Sequence, residues 1–368
     1  AASDVYTRQG TALKDGTANM WAGKSESTLI GFFGRVNYNY KDMLFASASL
    51  RREGSTKFGT NQKWGNFPSA SLAWELTKVP VFSKMTSAFQ SLKPRVSYGV
   101  TGRSDFDAYR SMPTYSSNGS YFINNQWVTG FAPSSNANPS LGWEKSKAFN
   151  IGVDFAVLNS RLRGSVEYFN RKSEDLLYSY TAPQPPYVWN SILVNVGTTE
   201  NTGFEVVLDY DVFSKNAFKW TTGVNYSYGT TKLSKLSNDI YKASYVDLYL
   251  KPGVGTSEYF FRIQEGGKIG QFYGYKYAGT DENGNMLIYN NDSEAIPVSQ
   301  ADASFKRYIG NGAPPHFLSW NNFFSYRNWD LSFQFRGAFG FEIFNMRKYG
   351  MGLQLSGTDN ILRSAYLE

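Results

Sequence analysis

Two-residue alternation of large apolar and polar side chains recurs along this chain, and it restricts the fold to sheets with one greasy face. Ile30, Phe32, Gly34, Val36, Tyr38 and Tyr40 share one face of a strand, while Arg35, Asn37 and Asn39 share the other. Beyond a tight turn at Lys41-Asp42, Leu44, Ala46, Ala48 and Leu50 oppose Ser47, Ser49 and Arg51. Phe149, Ile151, Val153 and Phe155 alternate with Asn150, Gly152 and Asp154, and Phe204, Val206, Leu208 and Tyr210 with Glu205, Asp209 and Asp211. A late hairpin repeats the pattern. Leu318, Trp320, Phe324 and Tyr326 lead through Arg327-Asn328 into Trp329, Leu331, Phe333, Phe335 and Phe339, with Asp330, Ser332, Gln334 and Arg336 opposite.

The pattern predicts strands over 28–40, 43–54, 66–77, 92–102, 143–157, 161–179, 193–212, 218–231, 316–327 and 329–340. Their connections sort by parity. Links at 41–42, 158–160, 213–217 and 327–328 are short and rich in turn formers, whereas 55–65, 103–142, 180–192, 232–315 and 341–368 are long. Link 78–91 is the exception on the short side, and the near-helical spacing of Phe82, Met85, Ala88 and Phe89 predicts a short amphipathic helix closing that end. Short turns at one end and long loops at the other are the layout of an outer-membrane barrel. The expected fold is all-β, a transmembrane antiparallel β-barrel of which this chain supplies about ten strands.

Composition agrees. Aromatics reach 17% of the 368 residues, yet mean hydropathy is −0.41, as expected when half of every strand faces lipid and half faces water. No apolar run approaches the ~18 residues of a membrane helix. Cysteine is absent, so disulfides and thiolate chemistry are excluded. The net charge of +7 is spread without a basic cluster, which argues against nucleic acid. Ala1-Ala2-Ser3-Asp4 lacks the features of a signal peptide, so a processed or partial product is expected.

Link 232–315 is too long to be structureless in a compact domain. Tyr273, Tyr275 and Tyr277 alternate, Asp281-Glu282-Asn283-Gly284-Asn285 turns the chain, and Met286 and Ile288 return it, which predicts a hairpin. The acidic turn does not fit a calcium loop, because Met286 stands at the sixth position where glycine is required.

Several short motifs stand out in order along the chain. They are Arg52-Glu53-Gly54-Ser55-Thr56-Lys57-Phe58-Gly59, Gly65-Asn66-Phe67-Pro68-Ser69-Ala70-Ser71 with Trp74, and Leu92-Lys93-Pro94-Arg95-Val96-Ser97-Tyr98-Gly99 with Thr101-Gly102. Asn138-Pro139-Ser140-Leu141 with Trp143-Glu144, Asn150-Ile151-Gly152-Val153-Asp154, Asn195-Val196-Gly197 with Asn201-Thr202-Gly203-Phe204-Glu205, and Phe272-Tyr273-Gly274-Tyr275 follow in order. Together these motifs resemble the SusC/RagA branch of TonB-dependent outer-membrane transporters of Bacteroidota, from whose pattern Arg103 departs, standing where the family usually has Asn. The resemblance implies the later part of a barrel of about 22 strands. It implies an incoming extracellular segment over 1–27, contiguous strands with long outer loops over 28–340, and an outer loop over 341–368 leading to the final strands. It further implies active import of glycans or peptides across the outer membrane of a Gram-negative bacterium, driven by TonB through an N-terminal plug region, with a SusD-like surface lipoprotein as lid. A SusC-like barrel serving as structural subunit of an assembly or secretion complex is the alternative.

No catalytic constellation emerges, and neither a cofactor nor a metal ligand is expected. His316 is the only histidine and is read as a loop residue at a strand start. Glu174 and Asp175 point to opposite faces and are read as solvated rim charges. Gly266-Gly267-Lys268-Ile269-Gly270 lacks the ending of a phosphate loop and is read as a plain loop. Tyr121, Trp127, Tyr187, Trp189, Tyr259, Phe260 and Tyr273 are the candidates for substrate or partner contact, because aromatic faces in outer loops stack on sugars or peptide side chains. Trp220 and Trp329, beside short turns, are expected at the membrane interface, and Ile30, Phe32, Val36, Phe333 and Phe335 toward lipid.

Overall fold

The computed structural model describes residues 2–3, 6–14, 17–215, 217–237, 242–250, 259–345 and 363. The chain divides into two units, Ala1–Asn201 with Ser237–Lys242 and Thr202–Leu236 with Ala243–Glu368.

In the first unit, six long antiparallel strands follow one another in sequence order: β1 (Thr28–Tyr40), β2 (Leu44–Ser55), β3 (Trp64–Trp74), β4 (Phe89–Arg103), β5 (Glu144–Val157) and β6 (Leu162–Glu174). Ala2–Ser3 pairs with Leu29 and Thr28 at the edge of β1. The register keeps the two faces distinct across all six strands. Tyr38 pairs with Ala46, Ala46 with Leu72, Leu72 with Val96, Val96 with Ile151, and Ile151 with Tyr168, so one row is apolar from end to end. The neighbouring row on the other face runs Asn37, Ser47, Ser71, Ser97 and Asn150. A one-residue slip in any pair would exchange the faces, so the alternation itself sets the register. Phe33 breaks the pattern, lying 83% exposed on the polar face.

The polar face also carries a compact ion cluster. Arg95 donates to Asp154 at 3.1 Å and to Glu167, and Lys93 lies 3.9 Å from Asp154.

The second unit contains β7 (Thr198–Lys215, from Thr202 on), β8 (Phe218–Lys235), β9 (His316–Tyr326) and β10 (Trp329–Phe339), again in sequence order. Its apolar face is rich in aromatics, which alternate with Val224, Leu318 and Leu331. Trp220 stacks on Phe324 at 5.4 Å, Trp320 on Phe335 at 5.8 Å, and Phe333 on Phe324 at 5.9 Å. Two polar side chains lie among them, and both are served by indoles: Trp220 Nε1 donates to Asn322 Oδ1 at 3.1 Å and Trp320 Nε1 to Thr222 Oγ1 at 2.8 Å. Asp209 and Asp211 belong to the opposite face, where Thr221 donates to Asp211 at 3.0 Å.

Turn chemistry explains the short ends. Lys41 and Asp42 both take left-handed backbone, φ 51° and 49°, the geometry of a two-residue hairpin turn. Asn39 clamps it by donating to Asp42 Oδ1 at 2.7 Å and accepting from Asp42 N at 3.0 Å. Leu158, Asn159 and Ser160 likewise have φ of 56°, 57° and 61°.

The link after β3 differs from the expected amphipathic helix. It forms two 3₁₀ segments, Leu76–Lys78 and Pro80–Ser87, with Phe82 off helical geometry at φ −99° and ψ 17°. Glu75 accounts for the tight winding, since its carboxylate accepts from Thr77 N, Thr77 Oγ1, Ser91 Oγ and Leu92 N and pins the link to β4. Burial pushes the Glu75 carboxyl up, but these four hydrogen bonds together hold it below its usual range. A depressed carboxylate stabilises the fold above its unfolded value and loses that contribution as pH falls through the lower folded value. Hydrogen-exchange protection across 75–92, taken relative to the intrinsic exchange rate at each pH, should therefore fall in wild type as pH drops below 4.5, the reference value. In Glu75→Gln the exchange should already be fast at neutral pH, with this step absent.

Other boundaries shift for local reasons. β6 ends at Glu174 rather than 179 because Asp175 turns left-handed at φ 56°. Gly197, φ 100°, delays β7 to Thr198, and the freed residues pair as a loop hairpin, Leu177–Thr181 with Ser191–Asn195. Loop hairpins also form at Tyr6–Lys14 with Thr17–Ser25 and at Tyr115–Ile123 with Gln126–Pro133. The chain between β8 and β9 contains a four-stranded sheet of Tyr245–Leu250, Tyr259–Gln264, Gln271–Gly274 and Arg307–Asn311, and a three-stranded sheet of Tyr277–Thr280, Met286–Tyr289 and Ala295–Pro297. The expected hairpin is thus present at 277–289, but Tyr273 belongs to the other sheet. Apart from Arg363, the expected loop after Asn345 lies outside the described residues.

Candidate functional site

At the loop end of the first unit, the motifs of the β2–β3, β4–β5 and β6–β7 links converge. Phe58, Phe67 and Trp143 form a buried aromatic cluster, with Phe58 and Trp143 centroids 4.4 Å apart and Phe67 and Trp143 5.3 Å apart. Trp143 Nε1 donates to Lys63 O at 3.0 Å, so its polar edge is also satisfied. Two glycines make the approach possible. A Cβ on Gly59 would meet Pro139 O at 1.8 Å, and one on Gly102 would meet Phe67 Cζ at 2.1 Å. Asparagines tie the next loop in: Asn138 donates to Leu193 O at 2.8 Å, while Asn195 accepts from Gly142 N at 2.7 Å and donates to Gly142 O at 2.8 Å.

On this base stands a cavity of about 740 Å³ lined by Trp189, Asn136, Lys57, Arg110 and several serines. Asn136 builds its wall by donating to Trp189 O at 2.6 Å and Ser191 O at 2.9 Å while accepting from Trp189 N at 3.2 Å. The Trp189 indole donates to Pro133 O at 2.9 Å, which fixes the ring plane while 45% of the residue stays exposed.

The second unit presents its own loop platform. Arg262 is held by Asp247 through two hydrogen bonds of 2.7 Å and sandwiched between the rings of Tyr245 and Tyr273 at 3.7 and 4.1 Å. The Asp247 hydrogen bonds hold the guanidinium above its usual range, and burial pushes the neighbouring Tyr308 hydroxyl up. An apolar cavity of about 400 Å³ lies beside it, lined by Phe260, Tyr273, Tyr277, Ile309 and Phe344 among others. The nearby turn follows the expected chemistry, with Asp281 Oδ1 accepting from Asn283 N and Asn285 N at 2.9 and 2.7 Å and Gly284 at φ 80°.

The aromatic candidates are scattered. Tyr121 and Trp127 stand exposed on the 115–133 hairpin, and Tyr259 is exposed on the four-stranded sheet. Tyr187 packs on the buried group Ala182, Ile192, Val194 and Val196. Phe260 is not an exposed loop aromatic: it is 9% exposed and stacked on Phe344 at 4.8 Å. Trp329 is exposed beside its turn, whereas the Trp220 N–H is bonded to Asn322. His316 is the first residue of β9 rather than a loop residue, its Nδ1 2.8 Å from the Tyr226 hydroxyl. Glu174 is paired with Lys147 at 2.5 Å and Lys172 at 3.0 Å, so it is not a loose rim charge. Arg103 pairs with Asp105 at 3.0 Å. Gly266 and Gly270 occupy a loop against β8, with φ of 78° and 95°. Among the described residues no group of three or more His, Cys, Asp or Glu side chains gathers as a metal site.

Antiparallel strands in sequence order, one face apolar and the other polar, with short turns at one end and structured loops at the other, define a partial transmembrane β-barrel. The family model described as TonB dependent receptor-like, beta-barrel matches residues 2–346, and the chain belongs to that family. It is 31% identical over 353 residues to TonB-dependent receptor P3 of Formosa agariphila, covering 92% of this chain and 34% of that protein. It is 28% identical over 344 residues to TonB-dependent receptor SusC of Bacteroides thetaiotaomicron, covering 91% and 33%. The chain thus spans about a third of the length of the curated relatives it matches. Among solved structures, the RagAB peptide importer in its closed-closed state superposes with a TM-score of 0.77 at 24% identity, over 92% of this chain and 36% of that one. That match establishes the same fold.

Proposed function

We propose that this chain is the later barrel portion of a TonB-energised importer that carries oligomeric nutrients, glycans or peptides, across the outer membrane. The observation that carries the reading is the register of an apolar row across β1–β6 beside a hydroxyl-amide row across β1–β5, which suits lipid on one side and a hydrated lumen on the other. Ile30, Phe32 and Val36 share the apolar face of β1, Phe333 and Phe335 that of β10, and these residues meet lipid. Trp329 lies at the interface. The chemistry is binding and gating, with no covalent step. TonB acts through the plug region, and a SusD-like surface lipoprotein covers the loops, whose Asn, Ser and aromatic side chains offer both hydrogen-bonding and apolar contacts. RagAB, similar to this chain in fold, is a peptide importer and supports the peptide half of that reading, while the glycan half rests on the motif resemblance to the SusC/RagA branch.

Deleting TonB should abolish uptake by the intact protein, and purification in mild detergent should recover a surface lipoprotein with it. TonB-independent uptake would contradict the energised reading. Recovery with many non-lipoprotein partners would favour a structural subunit instead.

A further inference from the structure

We propose that the loop end of the apolar face of the first unit binds phosphate groups of the anionic glycolipid in the outer leaflet, through Lys145, Lys147, Lys172 and Arg52. The proposal rests on the reading in which this face meets lipid, and it names the lipid chemistry recognised along one edge of that face.

Strand periodicity places the cations. On β5, Phe149, Ile151, Val153, Phe155 and Val157 share the apolar face, and Lys147 and Lys145 continue the same side toward the loops. On β6, Val166, Tyr168 and Asn170 lead to Lys172 and Glu174, and on β2, Ala46, Ala48 and Leu50 lead to Arg52. The apolar run of β5 covers roughly 20 Å of height at a rise of about 3.3 Å per residue and a tilt of about 40°, close to the ~25 Å apolar band of a barrel. Lys147 and Lys145 therefore stand at headgroup level. Between these cations and the short turns, no charged side chain occupies this face of β1–β6 among the described residues. Positive charge thus marks the loop end alone, on the side of the leaflet whose glycolipid carries phosphate.

The charge there is unbalanced. Lys147 and Lys172 stand directly opposite each other across β5 and β6, a like-charge pair that repels. Glu174 offsets part of this by accepting from Lys147 at 2.5 Å while lying 3.0 Å from Lys172, which draws both ammoniums to one point. Lys145 pairs in register with that same Glu174, and Glu200 accepts from Asn170 Nδ2 at 2.6 Å. Arg52 lies over the Trp64 ring at 5.4 Å, Trp64 stacks on Phe32 at 6.3 Å, and no carboxylate pairs with Arg52 among the described residues. Arg52, Lys145, Lys147 and Lys172 therefore outnumber Glu174 and Glu200. An ammonium has three donors, so Lys147 and Lys172 keep hydrogens for a second anion, and their side chains are 37% and 46% exposed. Phosphate oxygens bridge neighbouring ammoniums, while the lysine stems lie along the apolar surface below. A soluble anion satisfies the charges only. An anionic lipid holds phosphate directly above acyl chains, which matches both the charges and the apolar strand surface beneath them.

The test uses the intact transporter in mild detergent, titrated with purified lipopolysaccharide lacking O-antigen, with the same lipid after enzymatic dephosphorylation, and with inorganic phosphate. Wild type should bind the phosphorylated lipid about tenfold or more tightly than the dephosphorylated one. Lys145→Gln combined with Lys147→Gln, which leaves Glu174 paired with Lys172, should weaken that binding about 25-fold, roughly fivefold per lysine. Lys147→Arg keeps the charge and should retain most of it. Lys41→Gln, at the turn end, should bind as wild type does. Heat-dependent gel mobility of the variants confirms folded barrels. Equal affinity for the two lipids, a double variant that binds as tightly as wild type, or displacement of the lipid by inorganic phosphate at matched concentration would overturn the proposal. Lipid binding needs no energy, so phosphate-dependent binding with TonB-independent uptake would leave this site standing and remove the importer reading. TonB-dependent uptake without a preference for phosphorylated lipid would do the reverse.

Discussion

Replacing Trp143 with alanine should release the loop base of the first unit, at a cost of about 3–5 kcal/mol for a buried tryptophan. The residue is 5% exposed, packs against Phe58 and Phe67, and donates its indole N–H to Lys63 O, so the substitution removes packing together with one of the two hydrogen bonds to that carbonyl, Ser55 N keeping the other at 3.0 Å. Limited proteolysis of intact cells should then cut within 56–63 and 104–142, segments that resist in wild type. Gly59→Ala should reproduce the effect by the opposite physics, because its Cβ would meet the Pro139 carbonyl at 1.8 Å and the backbone must separate. Trp127→Ala on the exposed hairpin is the control, and its stability should change by no more than about 0.5 kcal/mol. If Trp143→Ala leaves the protease pattern unchanged, the cluster does not organise the loops.

Phe333→Arg should impair assembly of the barrel into the outer membrane, since an arginine on the lipid face near the bilayer midplane costs roughly 2–4 kcal/mol. Phe333 sits centrally in β10, paired with Asn322 and packed among Trp320, Phe324 and Phe335. Gln334→Arg, one residue on and on the opposite face, should assemble normally. Heat-dependent gel mobility of membrane fractions reads both outcomes. Equal assembly of the two variants would mean that neither face of β10 meets lipid.

The strands were legible because their signal is local. Alternation at 30–40, 149–155 and 329–339 needs no knowledge of partners, and Lys41-Asp42 announces its turn by residue type. The loop interior was far less legible. The hairpin at 115–133 turns on Asn124 and Asn125, both left-handed at φ 49° and 58°, so an Asn-Asn pair between aromatic runs was a usable signal that sequence reasoning passed over. Helical spacing misled at 78–91, where Glu75 and its four hydrogen bonds, acting across to Ser91 and Leu92, wind the chain tightly instead.

The site was hidden for a different reason. Of the aromatic candidates only Trp189 lines the polar cavity, and what distinguishes it from the exposed Trp127 is Asn136, more than fifty residues away, a contact no local pattern announces. The motifs that resemble the family, Phe58-Gly59, Phe67, Gly102 and Leu141 with Trp143, map to the aromatic base beneath the loops. They are the parts that must close on each other with no spare space. Motif residues therefore disclosed the family and the scaffold, while the cavity-lining serines carried no motif.

Cysteine accessibility tests the central claim of two chemically distinct faces most directly. No cysteine occurs in this stretch, so single substitutions introduce the only thiol within it. In intact outer membranes a water-soluble maleimide should label Ser71→Cys and Gln334→Cys and leave Leu72→Cys and Phe333→Cys unlabelled until detergent is added. Prompt labelling of Leu72→Cys and Phe333→Cys, with Ser71→Cys and Gln334→Cys protected, would contradict the account.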